Sequence, residues 1–130
     1  MIESPENGSW EPSIIVELVT FTFPEGHDRA SELEAVRSVA GKWAANKELV
    51  RKHFLWGIGE DSGTGGGFYI WPSVEAAKRA HNAEWLESVK KRTGGYPTIR
   101  YFDMMALVDN EHGTVTEWRG DGTARELETA

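Results

Sequence analysis

The residues best suited to acid-base chemistry lie on two stretches that read as strands and one that reads as a helix. His53 and Arg51 stand two residues apart within Leu49 to Ile58, so period-two alternation puts them on one strand face together with Leu55. An imidazole gives and takes a proton near neutral pH, and a guanidinium beside it steadies negative charge as it develops on an enolate, phenolate or carboxylate oxygen. His53 is therefore the expected base and Arg51 the expected partner of the anion. The competing reading is plain structure: a hydrogen-bonded sheet histidine and a surface ion pair. His81 and Tyr101 are expected as a second acid or base, or as orienting donors. Asp103 shares a strand face with Tyr101. It either orients a phenol or imidazole or pairs with Arg100 or Arg51. Trp56, Phe68, Tyr69, Trp71 and Trp85 are expected to wall a substrate pocket. They draw on six tryptophans that fall in separate elements, although core packing is the commoner use of an indole.

Other chemistries are disfavoured. The four histidines, His27, His53, His81 and His112, show no paired spacing and the chain has no cysteine. A structural zinc site, disulfides, iron-sulfur ligation and thiolate catalysis are thus not expected. Gly57-Ile58-Gly59 and Gly65-Gly66-Gly67 superficially suggest a phosphate loop, but a nucleotide fingerprint must open a helix, and these glycines run into Phe68-Tyr69-Ile70-Trp71. No flavin or nicotinamide motif is present, so no cofactor is expected. A net charge of -7 without a basic stripe makes a poor binder of phosphate backbones, and nucleic acid is not an expected partner. No apolar stretch approaches a membrane span, and Met1 to Pro12 has neither a basic nor an apolar leader segment. A small molecule is the expected partner, and the cytoplasm the expected compartment.

The elements that must position these residues follow from periodicity. Residues 1–12 read as an acidic flexible leader containing Trp10. Ser13 to Phe23 is a strand rich in β-branched and aromatic residues. Asp28 or Ser31 caps a helix in which Leu33, Val36, Ala40, Trp43 and Ala44 recur at helical spacing to about Asn46. Leu49 to Ile58 and the strand ending at Trp71 form a hairpin across a glycine-rich turn. Ser73 caps a second helix reaching Arg92, with a break possible where Asn82 and Glu84 can restart it. Thr98 to Val108 reads as one long strand, and residues 116–130 as a polar C-terminal extension. The order is β-α-β-β-α-β, an α+β ferredoxin-like domain over residues 13–115 with a four-stranded antiparallel sheet and two helices on one face. The run Phe68 to Trp71 is apolar at every position, which requires cover on both faces. The helices supply one cover. The other is expected from a second copy of the chain, sheet face to sheet face.

Leu49-Val50-Arg51-Lys52 before an aromatic-rich strand, Gly66-Gly67-Phe68-Tyr69-Ile70-Trp71, Glu84-Trp85, and Tyr101-Phe102-Asp103 before Val108-Asp109-Asn110 resemble the monooxygenase branch of the dimeric α/β-barrel superfamily. The resemblance covers most of residues 13–110. It implies a homodimer that pairs its sheets into a barrel, with a pocket between sheet and helices in each subunit. It also implies a cofactor-independent monooxygenase acting on an aromatic or polyketide-like molecule. Lyases, isomerases, cyclases and haem-degrading enzymes share that fold, so a non-oxidative reaction and a non-catalytic ligand-binding dimer both stay open. Members of the branch often carry tyrosine where this chain has His53 and proline where it has Ala83.

Overall fold

The computed structural model describes residues 14–119 and 123–127; the acidic leader with Trp10 lies outside them. Strand β1 (Ile15–Thr22) alternates as a one-sided strand should, with Ile15, Glu17 and Val19 buried and Val16, Leu18 and Thr20 half-buried. Helix α1 (Arg29–Ala44) is capped by Asp28, whose carboxylate accepts from the Ser31 amide at 2.8 Å. β2 (Arg51–Trp56), a short turn of helix at Gly59–Asp61 and β3 (Thr64–Trp71) form the expected antiparallel hairpin. The second helix is broken in two. α2 (Val74–Ala80) ends at His81, and Asn82 caps α3 (Ala83–Thr93) by accepting from the Trp85 amide at 2.9 Å. α3 stops at Gly94, which takes the left-handed conformation at φ 93°.

β1 through β4 (Thr98–Asp103) make one antiparallel sheet in the order β2-β3-β1-β4. Together with the helices this is the ferredoxin-like arrangement that the element order predicts. The core lies on the helix side, where Ile15, Val19, Tyr69 and Trp71 meet Trp43 of α1 and Ala76 and Ala77 of α2. The register places Arg51, His53, Phe68, Ile70, Val16, Leu18, Arg100 and Phe102 together on the opposite side. That side carries no helix, and Phe102 is 45% and Leu55 38% exposed there. Trp43 is the only buried residue of α1, and the half-buried Val39 one turn before it also packs on the core, so this helix is anchored most firmly near its C-terminus.

The long strand expected from Thr98 to Val108 is two strands. Asp103 is opposite Ile15, the first residue of β1, so β4 has no further partner. The Met104 amide donates to the Ile14 carbonyl at 3.0 Å, and the chain turns away. β5 (Ala106–Asp109), β6 (Thr114–Trp118) and β7 (Ala124–Leu127) then form a second, three-stranded antiparallel sheet. β6 crosses residues 115 and 116, where composition alone put the start of a polar extension. Its Thr and Glu residues hid a strand that both neighbours stabilise. Among the described residues no helix is long and apolar enough to cross a membrane.

Two glycines of β3 shape the helix side. A Cβ on Gly66 would lie 1.8 Å from the Val19 carbonyl oxygen, and one on Gly67 would lie 2.6 Å from the Tyr69 ring. Their bare backbones let β1 close on β3 and let the tyrosine ring lie back along its own strand. Gly66→Ala is expected to cost about 3 kcal/mol or more. Gly41→Ala, where an added Cβ meets nothing within 4 Å on α1, is expected to gain about 0.5–1 kcal/mol. Urea unfolding midpoints of the two variants check this, and equal midpoints would contradict the close approach at Gly66.

Candidate functional site

One lateral row of polar side chains crosses the helix face of the main sheet. The register aligns Lys52 of β2 with Tyr69 of β3, Tyr69 with Glu17 of β1, and Glu17 with Tyr101 of β4. Neighbours in such a row have Cβ atoms about 5 Å apart, so the four form a chain of contacts from one sheet edge to the other.

Glu17 is fully buried, and a buried carboxylate must be satisfied by donors. One oxygen accepts from the Trp71 indole N–H at 2.8 Å, and the other faces His81 Nδ1 at 2.9 Å. With Glu17 ionised, Nδ1 carries the hydrogen of that bond. His81 is the C-cap of α2, four residues after the buried Ala77 and on the inward stripe of that helix. The imidazole is packed by Trp85 at 4.1 Å between ring centroids, Tyr69 at 4.6 Å and Trp43 at 5.4 Å. Its Nε2 is buried without a hydrogen-bond partner. Tyr101 lies beside Glu17 on β4; burial first, then the Glu17 charge, pushes its pKa up to about 12.

Beyond Tyr69 the row reaches a cavity of about 190 Å³ under α1 and α3. Trp43, Phe54, Tyr69, Trp85, Phe21 and Val39 supply its apolar wall, and Lys42, Lys52, Arg92 and Glu32 its charges. Arg92 and His27 both bond Glu32, at 2.8 and 2.9 Å, so that carboxylate is already engaged. Lys52 donates to the Tyr69 hydroxyl at 2.7 Å, and its ammonium lies over the rings of Trp43 at 4.0 Å, Phe54 at 4.1 Å and Tyr69 at 4.5 Å. Burial above all, then Lys42 and Arg92, pull its pKa from the ordinary 10.5 to about 7, against the opposing charges of Glu17 and Glu32. Burial and Glu17 push the Tyr69 phenol far above its ordinary range. The site thus holds an amine that exchanges protons at neutral pH beside a phenol that keeps its own. A wider cleft, of about 520 Å³, shares Lys42, Trp43, Trp85 and Ser88 with the cavity.

The sequence expectations divide along the two sheet faces. Tyr69 and Trp85 line the cavity, and Trp56 lies in an adjoining groove that shares Phe54, Glu32, Val36 and Gly66 with it. His53, Arg51 and Phe68 are on the far face, where His53 meets Phe68 edge to face at 5.6 Å; none of the three lines the helix-side cavity. Pairing with Tyr69 and Gly67 turns Lys52 and Phe54 to the helices instead. His81, expected as a second acid or base, does not line the cavity and sits behind the aromatic wall of Trp43, Tyr69 and Trp85. Trp71 is wholly buried and serves Glu17. Asp103 ends β4 opposite Ile15, its pKa raised by burial, and is not among the cavity residues. Sequence reasoning missed Glu17 and Lys52. Each had a signal: a carboxylate in phase with Ile15 and Val19, and an ammonium in phase with Phe54 and Trp56. Among the described residues no three His, Asp or Glu side chains converge as metal ligands.

Comparison with solved structures adds one finding about architecture. A crystal structure of a putative antibiotic biosynthesis monooxygenase from Caulobacter crescentus CB15 superposes with a TM-score of 0.55 and 19% identity, covering 80% of this chain and 97% of that one. The two proteins share a fold. A mutant of SnoaB, a cofactor-independent oxygenase from Streptomyces nogalater, aligns at 18% identity with a TM-score of 0.45 over 69% of this chain and 89% of its own. No protein-family model and no curated protein matches the sequence.

The buried Glu17 pair gives a direct test. Glu17→Ala strands His81 Nδ1 and the Trp71 N–H without acceptors and is expected to cost about 3–5 kcal/mol. Glu17→Gln keeps a carbonyl for Trp71 and is expected to retain at least half of that stability. Urea unfolding of both variants checks this, and an Ala variant as stable as the Gln variant would mean that the network does not hold the helices down.

Proposed function

We propose that the protein is an enzyme that binds an apolar aromatic or polyketide-like small molecule in the helix-side cavity and carries out a cofactor-independent, monooxygenase-type reaction. The observation that carries this reading is the Lys52 amine, set in an aromatic wall 2.7 Å from the Tyr69 hydroxyl with a pKa of about 7. A general base works best when its pKa is near the working pH. Lys52 therefore takes the role first expected of His53. Its neutral amine removes a proton from a phenol, or from carbon beside a carbonyl. The ammonium so formed, with Lys42 nearby, faces the developing oxyanion. Tyr69 holds its proton and donates to a substrate oxygen.

Dioxygen chemistry carries over the activity named for the Caulobacter protein, whose fold this chain shares. An electron-rich carbanion or phenolate reacts with dioxygen directly. One oxygen atom enters the product as a carbonyl, the other leaves as water, and the oxidised methylene of the substrate supplies the electrons. Without dioxygen the same proton abstraction serves isomerisation or carbon-carbon cleavage. The outer sheet face carries no helix and leaves Phe102 and Leu55 exposed beside the half-buried Val16, Leu18 and Phe68, which supports a homodimer paired through it, because contiguous apolar surface is rarely left bare.

Oxygen uptake with anthrone-like and dihydroxynaphthalene substrates, run aerobically and anaerobically, tests the reaction. Activity is expected to rise as pH climbs through about 7, where Lys52 loses its proton, and then to level. Lys52→Met is expected to lower turnover by about 10²–10⁴-fold, while His53→Ala, away from the cavity, retains it. A folded Lys52→Met variant with full turnover would remove the base. For the dimer, sedimentation at micromolar concentration is expected to give two subunits for the native chain and one for Leu18→Arg; a native monomer would exclude the sheet-to-sheet pairing.

A further inference from the structure

The cavity holds a primary amine in surroundings that differ from those of a surface lysine. Its nitrogen is within hydrogen-bond distance of a phenol and is enclosed by three aromatic faces. No carboxylate lies within ion-pair distance of it among the described salt bridges. The charged and titratable groups that face it are Glu17 from β1, Glu32 and Lys42 from α1, Tyr69 from β3 and Arg92 from α3. The last positive charges add to burial in disfavouring its ammonium form. Enzymes that use lysine as a covalent nucleophile create these two conditions, desolvation and a neighbouring cation.

From this geometry we infer that Lys52 forms an imine with an aromatic aldehyde or ketone bound in the helix-side cavity. The inference rests on the reading of that cavity as the ligand site and goes beyond proton transfer. The neutral amine adds its lone pair to the carbonyl carbon, and the carbonyl π pair moves to oxygen. The Tyr69 hydroxyl donates a hydrogen bond to that oxygen and keeps its own proton, and the oxygen takes its proton from the nitrogen, giving a neutral carbinolamine. Departure of the hydroxyl as water, with loss of the remaining N–H proton, leaves the C=N bond; amine plus carbonyl gives imine plus water, with no oxidant or reductant. Trp43, Phe54 and Tyr69 flank the nitrogen with flat apolar surface, which suits an aromatic group conjugated with the carbonyl. The imine withdraws electrons from the adjacent carbon, so an enolisable ketone held this way loses its α-proton more readily.

The test is reductive trapping on the intact protein. Naphthaldehyde and sodium cyanoborohydride are added at neutral pH in oxygen-free buffer, and the alkylated lysines are mapped by peptide mass. Lys52 is expected to be modified at least tenfold faster than Lys42, Lys47, Lys78, Lys90 or Lys91, and naphthol to slow it by occupying the cavity. Tyr69→Phe is expected to slow capture at Lys52 with the surface lysines unaffected, a split that global unfolding would not give. Modification that follows exposure alone, or that favours Lys42, overturns the inference. Oxygen-dependent turnover of carbonyl-free phenols without trapping at Lys52 would leave the proton-transfer reading intact and remove the imine. Trapping at Lys52 with no phenol oxidised would do the reverse.

Discussion

A carboxylate in the middle of a sheet is the constraint around which the rest of this domain is arranged. Glu17 has no water to turn to, and an unsatisfied buried carboxylate would cost several kcal/mol. The surroundings answer with two donors from different directions. Trp71 comes from the neighbouring strand, and His81 comes from the gap between α2 and α3. The histidine sits where the second helix stops at Ala80 and restarts behind an Asn82 cap, on the same inward stripe as the buried Ala77. Trp85, in the first turn of α3, packs on that imidazole and lines the cavity, so the polar pair on β1 and the cavity wall on α3 are in direct contact.

How much of this was legible in the sequence depends on which kind of signal carried it. The ferredoxin-like order was readable because runs such as Ile14 to Phe23 and Leu33 to Ala44 have strong periods, and because Ser73, Asn82 and the glycines punctuate them. Registers were not readable. Leu49 to Ile58 carries His53 and Arg51 in one phase and Lys52, Phe54 and Trp56 in the other, and a one-residue shift exchanges the two faces. Composition favoured histidine as the obvious acid-base residue, whereas pairing with Tyr69 brings Lys52 and not His53 to the cavity. Glu17 escaped for a related reason: a single acid among seven apolar residues looks like noise on an exposed phase until its phase with Ile15 and Val19 is counted. The C-terminal sheet was hidden differently. Thr114 to Trp118 alternates polar residues on a half-buried strand, where pairing on both edges outweighs hydrophobicity.

The two faces of the main sheet have different work. On the far face His53 packs on Phe68 and Arg100 lies over Phe102 at 5.1 Å, so both side chains cover apolar surface. On the helix face the cations surround an opening. α1 leaves that opening because it buries only Trp43 deeply, and Gly67 lets Tyr69 lie flat enough to bring its hydroxyl to Lys52. A bulkier residue in the glycine run would push the ring outward and close the space that the weakly anchored helix leaves.

The balance of forces on Lys52 explains why its pKa falls near neutrality and no further. Withdrawing an ammonium from water costs several kcal/mol even after the protein relaxes, and Lys42 and Arg92 add to that cost. Opposing them, Glu17 lies two strands away, about 10 Å at the usual strand spacing, where an effective dielectric of about 20 leaves roughly 1.7 kcal/mol of attraction. Three aromatic faces add about 0.5–2 kcal/mol each. These attractions offset only part of the penalty, so the pKa falls to about 7 and the amine is neither locked as a cation by an adjacent carboxylate nor driven to the values near 5 or 6 of a fully apolar burial. Tyr69 completes the arrangement by separating the two charges. Inserted between Glu17 and Lys52 in the same row, it prevents the direct ion pair that would fix the proton on nitrogen, and it offers the amine a neutral oxygen in its place.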